Sequence, residues 1–131
     1  MFDSDSELLD HVRGHVGVKR EGDLPQDTLE QELQRAKREL NNEIRERLNN
    51  QQSLNIYEIE AKQKALKYFV QIRAKSVVTQ NQGARAGPDK NGPNLGRDPK
   101  TVSSIRRHDY GDQDMNYWRD RMVAHVNKIT E

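Results

Sequence analysis

Residues 24–48 read LPQDTLEQELQRAKRELNNEIRERL. Within this stretch Leu29, Leu33, Ala36, Leu40, Ile44 and Leu48 recur at steps of four, three, four, four and four residues. At 3.6 residues per turn these positions share one face, and Glu, Gln, Arg, Lys and Asn cover the rest. The segment is a helix with a narrow apolar stripe on an otherwise charged rod. Leu24-Pro25 leads into Asp27, which reads as an N-cap with Glu30 three residues on, and Asn49-Asn50 closes the run.

Upstream, Ser4 and Glu7 stand at capping-box spacing, and Leu8, Leu9, Val12 and Val16 follow at helical intervals. Gly14 weakens this first helix and Gly17 is placed to end it. KREGD, residues 19–23, reads as a solvated turn. Downstream, a third helix is predicted from near Ser53 to about Val78. Its stripe of Ile56, Ile59, Leu66, Phe69, Val70 and Val77 is widened by Tyr57, Tyr68 and Ile72, which makes it the central helix. Lys62, Lys64, Lys67, Arg73 and Lys75 fill its remaining surface, so it is also the most basic element.

The character then changes. Residues 79–101 hold four of the eight glycines and three of the four prolines. Such a segment reads as a long polar loop, because Gly and Pro break helices and almost nothing in it asks for burial. A loop of this length inside a small domain is commonly functional. Its bases, Arg85, Lys90, Arg97 and Lys100, outnumber its acids, Asp89 and Asp98. VSSIRR, from Val102, is short and alternating and reads as extended. Gly111 marks a turn, and Asp112 or Asp114 caps a final helix. Met115, Trp118, Met122, Val126 and Ile129 give that helix its apolar face.

The fold class that follows is mainly α. It is a small bundle of about four helices with a long Gly/Pro-rich loop, then an extended arm and a helix. Residues 1–131 form one domain, with 79–101 as the loop and 102–131 as a C-terminal docking arm. Composition agrees with a small core. Leu, Ile, Val and Phe number only 27 of 131, and charged residues reach 33%. The formal net charge of +1 argues against disorder, so a partner subunit is expected to supply missing burial. With no cysteine, disulfides and thiolate chemistry are excluded. No apolar run approaches the ~20 residues that span a bilayer. The acidic N-terminus is unlike a secretory leader, and a soluble chain made in the cytoplasm is expected.

The chemistry-bearing residues are sparse. His108-Asp109 suggests a metal phosphohydrolase, but one doublet does not complete a coordination shell. His11 and His15 share a helical face without the Glu of a zinc-protease motif. No serine sits in a Gly-x-Ser-x-Gly elbow, and no glycine loop ends in G-K-[ST]. The expectation is a protein without enzymatic activity, metal or cofactor. A DNA-binding reading draws on Arg106, Arg107, the loop bases and the third-helix lysines. Trp118 suits either a core position or an interface anchor, and Arg119 and Arg121 point away from the apolar stripe.

Taken in order, these features resemble the head–tail connector adaptors, or head-completion proteins, of tailed viruses. The resemblance runs from Ser4 to Ile129. It is carried by ELLDHVRGHVGV, by Asp27 with Leu29, Leu33 and Ala36, by ALKYFVQIR, and by Ser104, Ile105, Gly111 and Asp112 before the last helix. It implies a structural virion protein at the capsid–tail junction, not an enzyme. It implies a ring, commonly twelve-fold, that binds a portal protein on one side and a tail or stopper protein on the other. Double-stranded DNA would pass through the ring without sequence-specific contact, and no membrane is involved. In the family the C-terminal region grips the portal, which places that contact here on Tyr117, Trp118, Arg119, Arg121 and Met122. Arg85, Lys90, Arg97, Lys100, Arg106 and Arg107 are then candidates for the channel or a neighbouring subunit. The alternative is a small DNA-binding or packaging accessory protein.

Overall fold

The computed structural model describes residues 3–48, 53–86 and 101–130, with the side chains of residues 85 and 86 left out. It is a helical bundle. The elements are α1 (Asp5–Arg13), a single 3₁₀ turn (Glu21–Asp23), α2 (Gln26–Arg47), α3 (Ile56–Ala86), α4 (Val102–Arg106) and α5 (Gln113–Thr130). No strand occurs among the described residues.

The expected central helix is central. α3 packs against α1, α2, α5 and the 3₁₀ turn, while α4 rests on α2 and α5. Through its middle α3 is covered on every side: Phe69, Val70, Ile72, Ala74 and Val78 are fully buried, and so nearly are Gln71, Arg73 and Ser76. A helix surrounded in this way must satisfy its polar groups internally. Ser76 Oγ donates to the Ile72 carbonyl at 3.1 Å. Arg73, expected on the surface, instead meets Glu32 of α2 at 3.4 Å, with both side chains about 5% exposed. Arg35 approaches the second Glu32 oxygen at 3.3 Å.

The helix starts follow local chemistry. Ser4 Oγ accepts from the Glu7 N–H at 3.2 Å, as the capping spacing predicted. Gly17 adopts φ of 75° where the turn after α1 closes. α2 begins at Gln26 with Pro25 at the N-cap, two residues before the expected Asp27. Proline carries no N–H to leave unpaired there, and Asp27 occupies the first turn, where a carboxylate favours the helix dipole. α3 starts at Ile56, not near Ser53. Asn55 is its cap, because the Asn55 and Glu58 side chains each accept the other's N–H at 2.9 Å.

Three sequence expectations are corrected. The first concerns residues 79–86, read as loop, which continue α3 through Gly83 to Ala86. Glycine in a helix costs about 1 kcal/mol relative to alanine. Tertiary contacts offset it: Asn81 Nδ2 donates to the Asp23 carbonyl at 2.8 Å. Gln82 Nε2 donates to Asp23 Oδ2 and to the Gly17 carbonyl, each at 3.0 Å. The same bonds narrow the second expectation, a solvated KREGD turn: Lys19, Arg20, Glu21 and Gly22 are exposed as expected, and Asp23 is not. Asp23 is fully buried there, and its Oδ2 also accepts the N–H groups of Lys19 at 3.0 Å and Arg20 at 3.2 Å. Lys90, Arg97 and Lys100 of the predicted loop lie outside the described residues, as does the Arg85 side chain.

The third correction is the arm. VSSIRR does not extend; residues 102–106 form α4, with Val102 and Ile105 buried against the bundle. Thr101 caps it reciprocally with Ser104, each side chain accepting the other's N–H at 3.2 Å. Five residues are too few for periodicity to separate helix from strand, and the Thr-x-x-Ser cap was the informative signal. α5 matches its prediction. Asp112 Oδ1 accepts from the N–H of Asp114 at 2.9 Å and of Met115 at 3.1 Å, and all five predicted apolar positions are buried.

Candidate functional site

The residues singled out in the C-terminal region divide by face. Trp118 is 8% exposed and Met122 is fully buried, so both belong to the core of this bundle. Tyr117 is 49% exposed. Arg119 is directed back into its own turn, donating to the His108 carbonyl and, at 2.9 and 3.0 Å, to Asp120 Oδ1. Arg121 lies 5.6 Å from the Tyr117 ring centroid. Arg107 is the exposed C-cap of α4. Arg106, on the preceding residue, is half-buried, and its Nε and Nη2 meet no hydrogen-bond partner among the described residues.

His108-Asp109 is occupied by local structure. Asp109 Oδ1 accepts the Gly111 N–H at 2.9 Å and the Asn116 amide at 3.1 Å. Those bonds, the backbone one first, hold its carboxyl below the usual carboxylate range. The His108 ring instead packs edge-on against Tyr110, 4.4 Å between centroids. The His11 and His15 rings lie 4.2 Å apart, tilted by 30°, but His15 Nδ1 sits 2.8 Å from the His11 carbonyl. Among the described residues no group of three or more His, Asp or Glu is arranged to hold a metal ion.

Pairing α3 with α5 assembles a face that the sequence did not announce. Lys64, Lys67 and Tyr68 of α3 meet Tyr117, Arg121, His125 and Lys128 of α5. The Tyr68 ring stands edge-on to Tyr117 at 6.3 Å and stacks on His125 at 6.0 Å. Lys67 Nζ lies 4.4 Å from the Tyr68 centroid. Among the described residues, Lys67, Arg121 and Lys128 have no carboxylate within ion-pair distance; only Lys64 does, with Glu60 at 3.1 Å. The titrating groups register this unbalanced positive field. Burial pushes the His125 ring down to about 4, reinforced by Lys128, Lys64, Arg121 and Lys67. His11 is lowered by burial first, then by His15 and Lys67. For Tyr68, burial raises the hydroxyl, yet a hydrogen bond from Arg121 and the charge of Lys67 outweigh it and the net direction is down. The signal was present as Tyr117, Arg121, His125 and Lys128 at helical steps, but it became a site only when the Lys64–Tyr68 turn was laid beside it.

A second surface is apolar. Leu40, Leu54, Ile59 and Leu66 floor a groove of about 260 Å³ between α2 and the start of α3, with Lys37 and Lys62 at its edge. Lys62 is lowered from its ordinary value by burial, then by neighbouring Arg45. Ile59 of the groove is 45% exposed, and Ile56 and Tyr57 just before it on α3 are 74% and 79% exposed, all three assigned by periodicity to the core. The core at this level is filled by Ala61 and Ala65. No described helix is long and apolar enough to cross a membrane.

No family model, curated protein or solved structure matches this chain.

Proposed function

We propose that this chain is a structural adaptor of a tailed virus, forming a ring that docks on the portal and joins capsid to tail around the DNA channel. The observation that carries the reading is the apolar ridge of Ile56, Tyr57 and Ile59 beside the groove floored by Leu40, Leu54 and Leu66. Three large side chains left in water on a bundle otherwise so charged cost hydrophobic free energy that a neighbouring subunit recovers. Covering one such side chain contributes roughly 1.5–3 kcal/mol. A ring subunit meets neighbours on two sides and needs surfaces of this kind; a self-sufficient monomer does not. The order of elements resembling connector adaptors supports the same reading.

On this reading Trp118 and Met122, placed by sequence at the portal contact, serve instead to hold α5 in the bundle. Double-stranded DNA passes the assembled ring without sequence readout. The test is sedimentation of the full chain with and without the portal protein of its own virus. The reading requires a portal-bound species carrying many copies of the chain. Separate sedimentation of the two proteins at every ratio counts against it.

A further inference from the structure

We infer that the face formed by Lys64, Lys67, Tyr68, Tyr117, Arg121 and Lys128 is a binding surface for the phosphodiester backbone of a nucleic acid. The inference does not rest on the adaptor reading, since it follows from α3 and α5 within one subunit.

Charge is the first ground. Of the four cations on the face, three have no carboxylate partner among the described residues. Elsewhere some cations pair within the chain, as Lys37 does with Asp5 at 2.8 Å and Arg47 with Glu43 at 2.8 Å; others, such as Lys19 and Arg38, form no ion pair among the described residues, and what sets the face apart is the grouping of three such cations around Tyr68 and Tyr117. A cluster of uncompensated cations is self-repelling and is relieved by an anion with several charges.

The second ground is the kind of cation and what lies between. Three of the four are lysines, compact point charges suited to phosphate oxygens; a carboxylate-rich protein partner is better matched by bidentate arginine forks. The cations are interleaved with aromatic rings. Tyr117 is half-exposed, edge-on to Tyr68, and within cation–π distance of Arg121. Exposed rings between cations give an unpaired base a surface on which to stack, which an acidic peptide does not use. Tyrosine hydroxyls also donate to phosphate oxygens.

Residues on one helical face lie one turn apart, so the cations form two short rows along α3 and α5 and not a pocket. Nothing in the face reads base edges. Binding is therefore weak, independent of sequence and steeply sensitive to salt. The face takes in Lys64 and Lys67, among the third-helix lysines that the sequence had put forward for DNA, and adds Tyr117, Arg121 and Lys128 of α5.

The test is fluorescence anisotropy of the full chain with a labelled 20-nucleotide single strand and, separately, a 20-base-pair duplex, from 50 to 200 mM salt. Polyglutamate serves as competitor. Lys67→Glu/Arg121→Glu alters the face. Lys19→Glu/Arg38→Glu makes the same charge change at exposed positions outside it. Lys67→Gln/Arg121→Gln is the milder variant should the reversal disturb folding, which circular dichroism would reveal. The expected result is micromolar binding of one or both nucleic acids. The face variants should weaken it at least tenfold. Their log–log salt slope should be shallower by about 2, because each phosphate that a cation neutralises adds about 0.9 to the slope on a duplex. The control should stay within about threefold of wild type. Absence of binding at 50 mM salt, equal weakening in the control, or displacement by polyglutamate as effective as by DNA would each overturn the inference.

Discussion

At the scale of single residues, two buried groups carry the sharpest consequences. Glu32 and Arg73 form an ion pair between α2 and α3 that is almost wholly out of water. Removing one member leaves the other charge desolvated, and such losses cost about 3–5 kcal/mol, whereas replacing both with apolar side chains is commonly neutral or better. Glu32→Ala should lower the urea midpoint markedly, and Glu32→Met/Arg73→Met should recover most of that loss. His125 is the second. Its ring protonates only at about 4 in the fold, against 6.5 for an ordinary histidine, so between these values the unfolded chain binds more protons than the folded one. Stability should therefore hold above pH 6.5 and decline as pH falls toward 4. His11, also lowered, contributes with the same sign. His125→Phe keeps an aromatic ring against Tyr68 and should flatten this dependence without abolishing it, as read from denaturation midpoints across that window. An unchanged pH profile would refute the burial of a neutral ring.

At the scale of elements, α5 separates packing from contact within two adjacent residues. Trp118→Ala opens the core and should cost about 3–5 kcal/mol, while Tyr117→Ala, on the exposed face, should change stability by less than about 1 kcal/mol. Thermal unfolding of the two variants distinguishes them. The α2 and α5 faces were legible in the sequence, because long stripes at steps of three and four leave one solution. So were the Ser4, Asp112 and Gly111 signals. Four features were not legible, each for a physical reason. Residues 79–86 looked like loop because propensity counts Gly83 but cannot see Asn81 and Gln82 bonded to the turn at Asp23. α4 looked extended because five residues carry no usable period. Ile56 and Ile59 looked like core because periodicity marks a face without saying whether another helix reaches far enough to cover it. The basic–aromatic face escaped for a related reason, since half of it lies on α3 and half on α5.

At the scale of the whole molecule, the chain combines a fully packed centre with surfaces that remain unbalanced. Around α3 the core is closed by Phe69, Ile72, Leu33 and Met122, with Glu32 paired to Arg73 beside them. Outside it, an apolar ridge and a cluster of unpaired cations face solvent in the single subunit. On the proposed function, neighbouring subunits cover these surfaces. Substitutions on the ridge should leave unfolding midpoints within about 1 kcal/mol of wild type while removing association. For the proposed adaptor function, the decisive experiment is electron microscopy of the portal protein encoded alongside this chain, mixed with this chain and with its Ile56→Asp/Tyr57→Asp variant. A subunit that assembles through the ridge should give a closed ring of copies on the portal with the wild-type chain, and a bare portal with the folded variant. A bare portal with the wild-type chain, or an intact ring with the variant, would refute assembly through the ridge.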